Sequence, residues 1–234
     1  KSLEITPEER KEAMQMLVDK LAEPDVAAFI AKLTSGTDDA PSEAAKWMLV
    51  YRTGAKVHGT LPVSILTIRD VLDADSRRDV NGAKLIHRNG TDDKGWYRTD
   101  IAEGETEPWA SRPVVQGWAF VTRDGITTNK DDFDLTSVLA KTASELGLEE
   151  GKWHRRTPQE VVYDATVIYK RTNGRIRLLD DHSDKTEQRT SNGKLVTVRN
   201  IISYYNDDYA EEGVILYDEE LHSAGYVESA CLSR

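Results

Sequence analysis

The chain has 234 residues, 38% of them hydrophobic and 31% charged, with a formal net charge of −10. That length can bury a sizeable core as one large or two small domains, and no window approaches the roughly 18 uninterrupted apolar residues of a membrane span. The acidic balance excludes a protein that coats nucleic acid by bulk attraction, and the single cysteine, Cys231, excludes an intramolecular disulfide and a multi-cysteine zinc site.

One cysteine also points to a reducing, cytoplasmic setting. The opening KSLEITPEERKEA has no apolar segment of the kind a secretory signal needs, and a start at Lys1 leaves room for an upstream segment. Thr6, Pro7 and Glu9 form a capping box that starts a helix, with Met14, Leu17, Val18 and Leu21 on one apolar face. Pro24 restarts the chain as a second helix with Val26, Phe29, Ile30 and Leu33 inward, stopped at Ser35-Gly36. From Ser42 a third helix is expected, with Ala44, Trp47, Met48 and Tyr51 on one face as far as Gly54. A fourth is expected from Pro62 through Ile65, Ile68 and Leu72 to about Asp75. Residues 1–75 thus read as a helical layer whose narrow stripes need something to pack on.

Residues 76–112 read as a loop-rich connection, with a short hairpin expected on Asn89-Gly90. Val114 to Val121 is a strand pattern turned back at Arg123-Asp124-Gly125. Asp134 is expected to cap a helix with Leu135, Val138, Leu139 and Leu146 inward and Gly147 at its end. From Gln159 to Tyr205 the chain is rich in β-branched and aromatic residues and is interrupted by Asn173-Gly174 and Asn192-Gly193. Each Asn-Gly can take positive φ and reverse an antiparallel pair, so consecutive hairpins are expected. Gly213–Tyr217 and Gly225–Leu232 add short strands. The expected fold is α+β: one unit over residues 1–234, with the helical layer packed on a mainly antiparallel sheet from the β-rich residues 113–234 and one inserted helix.

Charge is segregated within that plan. Residues 153–200 hold ten Lys and Arg against six Asp and Glu, a net of +4, and residues 201–234 hold one against eight, a net of −7. Arg155, Arg156, Lys170, Arg171, Arg175, Arg177, Arg189, Lys194 and Arg199 could line two fingers along a phosphate backbone. Trp153, Tyr204 and Tyr205 could stack on unpaired bases. The plainer account of the same cations is that edge strands and turns carry charge to prevent sheet-to-sheet pairing.

Other chemistry is weakly marked. The acidic groups Asp131, Asp132 and Asp134; Asp180, Asp181 and Asp184 beside His182; Asp207 and Asp208; and Glu219 and Glu220 beside His222 lack the spacing of a calcium loop. Cys231 has His222 and Ser229 nearby in sequence but no feature that would lower its pKa. No histidine pair has helical metal-site spacing, and no phosphate-binding glycine loop is present, so no catalytic residue, metal or cofactor is assigned. Of the tryptophans, Trp47 and Trp118 read as core, whereas Trp96, Trp109 and Trp153 stand in polar contexts.

The leading functional expectation is a non-enzymatic protein that contacts single-stranded or structured nucleic acid through Arg171, Arg175, Arg177, Arg189, Lys194 and Arg199, with Tyr204, Tyr205 and Trp153 stacking. The alternative is a structural or assembly subunit of a viral or phage type, self-associating through 153–200 against 201–234. A metal-dependent enzyme built on a carboxylate cluster is third, and no membrane partner is expected.

Overall fold

The computed structural model describes residues 6–36, 43–53, 64, 109–123, 132–172, 176, 178–179, 182–205, 209–218, 227–229 and 232–233. Within them helices and small antiparallel sheets are mixed, as α+β architecture requires. The expected fourth helix apart from Ser64, the Asn89-Gly90 hairpin, the Asn173-Gly174 tip and Cys231 lie outside these residues.

Helix α1 spans Pro7–Leu21 and starts as its capping box dictates: the Glu9 backbone N–H donates to Thr6 Oγ1 at 3.1 Å. Its orientation departs from the expected stripe. Met14, Val18 and Leu21 are 52%, 58% and 41% exposed, and the buried residue is Ala13. The small Ala13 lets the helix backbone approach the sheet, where the Trp118 indole Nε1 donates to the Ala13 carbonyl at 2.6 Å. Helix α2, Pro24–Thr34, buries Val26, Phe29 and Leu33 as its spacing predicts.

The expected third helix is a short 3-10 turn, Glu43–Lys46, followed by strand β1, Trp47–Arg52. Strand β1 pairs antiparallel along its whole length with β2, Gly117–Thr122, from Trp47 opposite Thr122 to Arg52 opposite Gly117. The residues WMLVYR fit a period of two as well as a helical one, and pairing with the apolar β2 decides between them. Helix α3, Asp132–Glu145, buries Leu135, Leu139 and Ala143. Asp134 therefore lies inside its first turn and not at the cap, while Gly147, just past its end, takes φ +73°, a left-handed conformation natural to glycine.

The largest revision falls between Gln159 and Arg171. Those residues belong to helix α4, Pro158–Arg171, and not to a hairpin leg. The helix follows β3, His154–Arg155, and precedes β4, His182–Arg189; the chain continues as β5, Leu195–Tyr205, β6, Tyr209–Asp218, β7, Val227–Ser229, and β8, Leu232–Ser233. The second expected hairpin does form. Strands β4 and β5 pair antiparallel around Asn192-Gly193, with Gly193 at φ +82° and the turn closed by Thr190 N–H to Lys194 O at 2.8 Å.

The strands make two sheets rather than the single one expected, ordered β1-β2-β8-β3 and β6-β5-β4-β7. Within the second, the β4–β7 pair is parallel. Alternation along β1 and β2 sends Trp47 and Phe120 to one face of the first sheet, against α2 and α3, and Val50, Ala119 and Val121 to the other, against α4. On its far side α4 meets Val196 and Val198 of β5. The layers therefore run from the N-terminal helices and α3, through the first sheet and α4, to the second sheet. Among the described residues no helix is long and apolar enough to cross a membrane.

Candidate functional site

Helix α4 is organised by a second capping box. Glu160 N–H donates to Thr157 Oγ1 at 3.2 Å, and Thr157 N–H donates back to Glu160 Oε2 at 2.9 Å. The same Glu160 carboxylate accepts from Arg52 Nη1 of β1 and stands 3.1 Å from His154 Nε2. One turn on, Asp164 accepts from Arg52 Nε at 3.0 Å and Nη2 at 2.7 Å, and lies 3.5 Å from Arg156 Nη1. Arg156 reaches Asp184 of β4 at 2.5 Å. Arg52, Arg156, Glu160, Asp164 and Asp184 are all at least 95% buried. Two guanidiniums and three carboxylates therefore join β1, α4 and β4 through the interior.

His154, with its side chain 45% exposed, is where this network meets solvent. The Glu160 hydrogen bond raises its pKa. Burial would raise the Glu160 pKa, but the His154 hydrogen bond, the Arg52 charge and the Thr157 N–H outweigh it and hold the carboxyl at about 2. The raised His154 value stabilises the fold below its ordinary 6.5 and the contribution is lost as pH rises through the folded value; the lowered Glu160 value stabilises above its ordinary 4.5 and is lost as pH falls towards 2. The bridge is thus strongest between these two ordinary values. His154→Gln is expected to lower stability there by about 0.5 kcal/mol, solvent screening included. Urea midpoints taken across pH should show the gap between parent and variant closing on the alkaline side. A pH-independent gap would contradict a protonated bridge.

Around the hairpin end of β4 the cations gather. Glu187 lies within electrostatic reach of His154, Arg155 and Arg112. Arg155 donates to the Lys185 carbonyl from Nη2 at 3.1 Å. Two residues beyond Glu187, Arg189 donates from Nη1 to Gly193 O at 2.8 Å across the turn, next to Lys194. Burial raises the Glu187 carboxyl, while His154, Arg155 and Arg112 pull it down. Arg112, Arg155, Arg189 and Lys194 thus stand along this side of the hairpin with Glu187, and Asp218 of β6 pairs opposite Val196 near its start. Arg112 comes from the stretch before β2, and nothing local in its sequence neighbourhood points to the hairpin.

The other expected contact residues are distributed elsewhere. Arg171 is the last residue of α4, at the opposite end from Pro158, about 20 Å along the helix axis. Arg175 and Arg177 lie outside the described residues. Arg199 is in the middle of β5, opposite Ile215. Tyr204 and Tyr205 pair with Ala210 and Tyr209 at the far end of that strand. Trp153 is half-buried against the α2/α3 core. Arg156 is fully buried and serves the ion network.

Of the acidic groups, Asp184 is committed to Arg156, while Asp180, Asp181, Asp207, Asp208, Glu219, Glu220 and His222 lie outside the described residues. Among the described residues no group of three or more His, Cys, Asp or Glu side chains is arranged to hold a metal. No protein-family model matches the chain, and no curated protein and no solved structure matches it either.

Proposed function

We propose that the chain, acting as one unit in a reducing, cytoplasmic setting, is a non-enzymatic binding protein that contacts single-stranded or structured nucleic acid through the basic end of the β4–β5 hairpin. The observation that carries the reading is the row of cations along β4 and into its turn: Arg155 bonds the Lys185 carbonyl, Arg112 and Arg155 lie within electrostatic reach of Glu187, and Arg189 bonds across the internally bonded turn next to Lys194. Fixed cations on a rigid turn suit phosphate oxygens, because neutralising each phosphate releases condensed counterion while little conformational entropy is lost in the protein. Such interactions position a strand without reading its sequence. The overall charge of −10 disfavours bulk attraction of nucleic acid, and each phosphate neutralised at this end makes binding fall with salt.

The test is binding to a mixed-sequence single-stranded oligonucleotide at several salt concentrations. Replacing Arg112, Arg189 and Lys194 by Ala is expected to reduce the slope of log affinity against log salt by about 2, at roughly 0.7 for each phosphate no longer neutralised. An unchanged slope, or no binding by the parent at low salt, overturns the proposal.

A further inference from the structure

One ring nitrogen of His154 is committed and the other is not. Its Nε2 lies 3.1 Å from Glu160 Oε2, and the same carboxylate accepts from Arg52 Nη1 and from the Thr157 backbone N–H. A carboxylate that accepts from a guanidinium and an amide is ionised and offers only lone pairs. The hydrogen between the two side chains therefore belongs to Nε2 whether the imidazole is neutral or charged. That fixes the tautomer, and Nδ1 is the atom that gains or loses the proton. Among the described residues Glu160 is the hydrogen-bond partner of His154 and nothing bonds Nδ1, while the side chain is 45% exposed.

The ring also stands with the cations of the hairpin. Arg155 follows it on β3 and donates to Lys185 O of β4, and Glu187 of β4 is within electrostatic reach of His154, Arg155 and Arg112. The charged groups that act on the imidazole are Glu160 of α4 and Glu187 of β4, which favour its charged form, and Arg52 of β1, which opposes it. A phosphate oxygen brought to Nδ1 of the neutral ring meets a lone pair. Brought to the protonated ring, it meets an N–H and a positive charge. We propose that His154 is a proton-dependent phosphate contact, holding a nucleic-acid phosphate at Nδ1 when the ring is protonated and releasing it when the ring is neutral. This rests on the nucleic-acid reading above and adds regulation to it. The proton adds one unit of charge beside Arg155 whatever that guanidinium already bonds, and the Glu160 bond fixes the ring so that little freedom is lost on binding. Binding is therefore strongest below the ordinary histidine value of 6.5 and weakens as pH rises through the folded value, which the Glu160 bond raises.

The experiment is binding of the full chain to a mixed-sequence single-stranded oligonucleotide from about pH 5.5 to about pH 9, for the parent and for His154→Gln, whose amide still donates to Glu160. The parent's affinity is expected to fall about tenfold across this range, the worth of one charge-assisted hydrogen bond. Its slope of log affinity against log salt should be steeper by about 0.7 at the acid end, for one further phosphate. His154→Gln has no ring to protonate, so neither change is expected between its own acid and alkaline ends. Groups elsewhere that titrate in this range act on both proteins alike. Calorimetry in buffers of different ionisation enthalpy should record more proton uptake on binding by the parent than by the variant. A parent whose affinity is flat with pH overturns this proposal and leaves the nucleic-acid reading in place. A variant that keeps the parent's pH step overturns it too, because another group then carries the step. No binding at any pH removes the reading and the proposal together.

Discussion

Replacing Asp164 by Ala is expected to destabilise the protein by about 3–5 kcal/mol, the cost of leaving buried charge without its partner. Asp164 has no exposed surface and accepts two hydrogen bonds from Arg52 while facing Arg156. Its removal leaves Arg52 with Glu160 and Arg156 with Asp184, and it puts two desolvated guanidiniums beside a cavity that no carboxylate fills. The loss exceeds that of an exposed ion pair by several-fold, because the guanidiniums stay in the interior without the carboxylate that compensates their desolvation. Asp164→Asn keeps the shape and removes the charge, so it should fall between parent and Ala. Urea denaturation measures both. A cost below about 1 kcal/mol for the Ala variant would mean that the network relaxes to satisfy itself without Asp164.

Phe29→Ala is expected to cost a similar amount, about 3–5 kcal/mol, by a different route. Phe29 is 1% exposed, and its ring meets Trp47 and Phe120 edge-on at centroid distances of 5.2 and 5.4 Å. Truncation removes the buried aromatic area and both edge-on ring pairs, and it opens a void between α2 and the first sheet. Trp47 reports the change directly. Denaturant unfolding should shift to a lower midpoint, with altered Trp emission in the folded baseline, whereas an unshifted midpoint would show that α2 closes onto the sheet.

The two capping boxes show how much of the fold is legible in the sequence. Thr6-Pro7-Glu8-Glu9 and Thr157-Pro158-Gln159-Glu160 are the same device, with a hydroxyl at the cap, proline at the first helical position and glutamate three residues after the cap. The first stands before a clear helical period. The second is masked by Val161, Val162, Tyr163, Thr166, Val167, Ile168 and Tyr169, whose β-branched and aromatic side chains favour strands only in the absence of a stronger local instruction. The buried positions of this helix include Gln159, Glu160, Asp164 and Thr166, so its packed surface is not a purely apolar stripe that a hydrophobic pattern would single out. In α1 the reverse holds. A clear apolar stripe is present, but Ala13 and the Trp118 indole set the orientation, and that is a tertiary matter.

The ion network is illegible for a related reason. His182-Ser183-Asp184-Lys185-Thr186 is polar throughout and reads as part of an acidic group, yet Ser183 to Thr186 are all at least 96% buried. Asp184's partner Arg156 lies far away in sequence, as does Arg52, which joins the network through Asp164, and only the packing of α4 between the sheets brings them together. The hairpin on Asn192-Gly193 is legible because its signal is local. Arg112 joins its end for reasons no local pattern carries.

The position of β8 has a consequence for how the chain is made. Leu232 and Ser233 lie between β2 and β3, pairing with Val121 on one side and with His154 and Arg155 on the other. Val121 and Ser233 are about 110 residues apart, which at a synthesis rate of roughly 5–20 residues per second is on the order of ten seconds. During that interval, among the described strands, β2 can pair with β1 but has no native neighbour on its other edge, and β3 has none at all. The nascent chain therefore passes through a period in which its first sheet is split and templating, and that window closes only when β8 has been made and is keyed in.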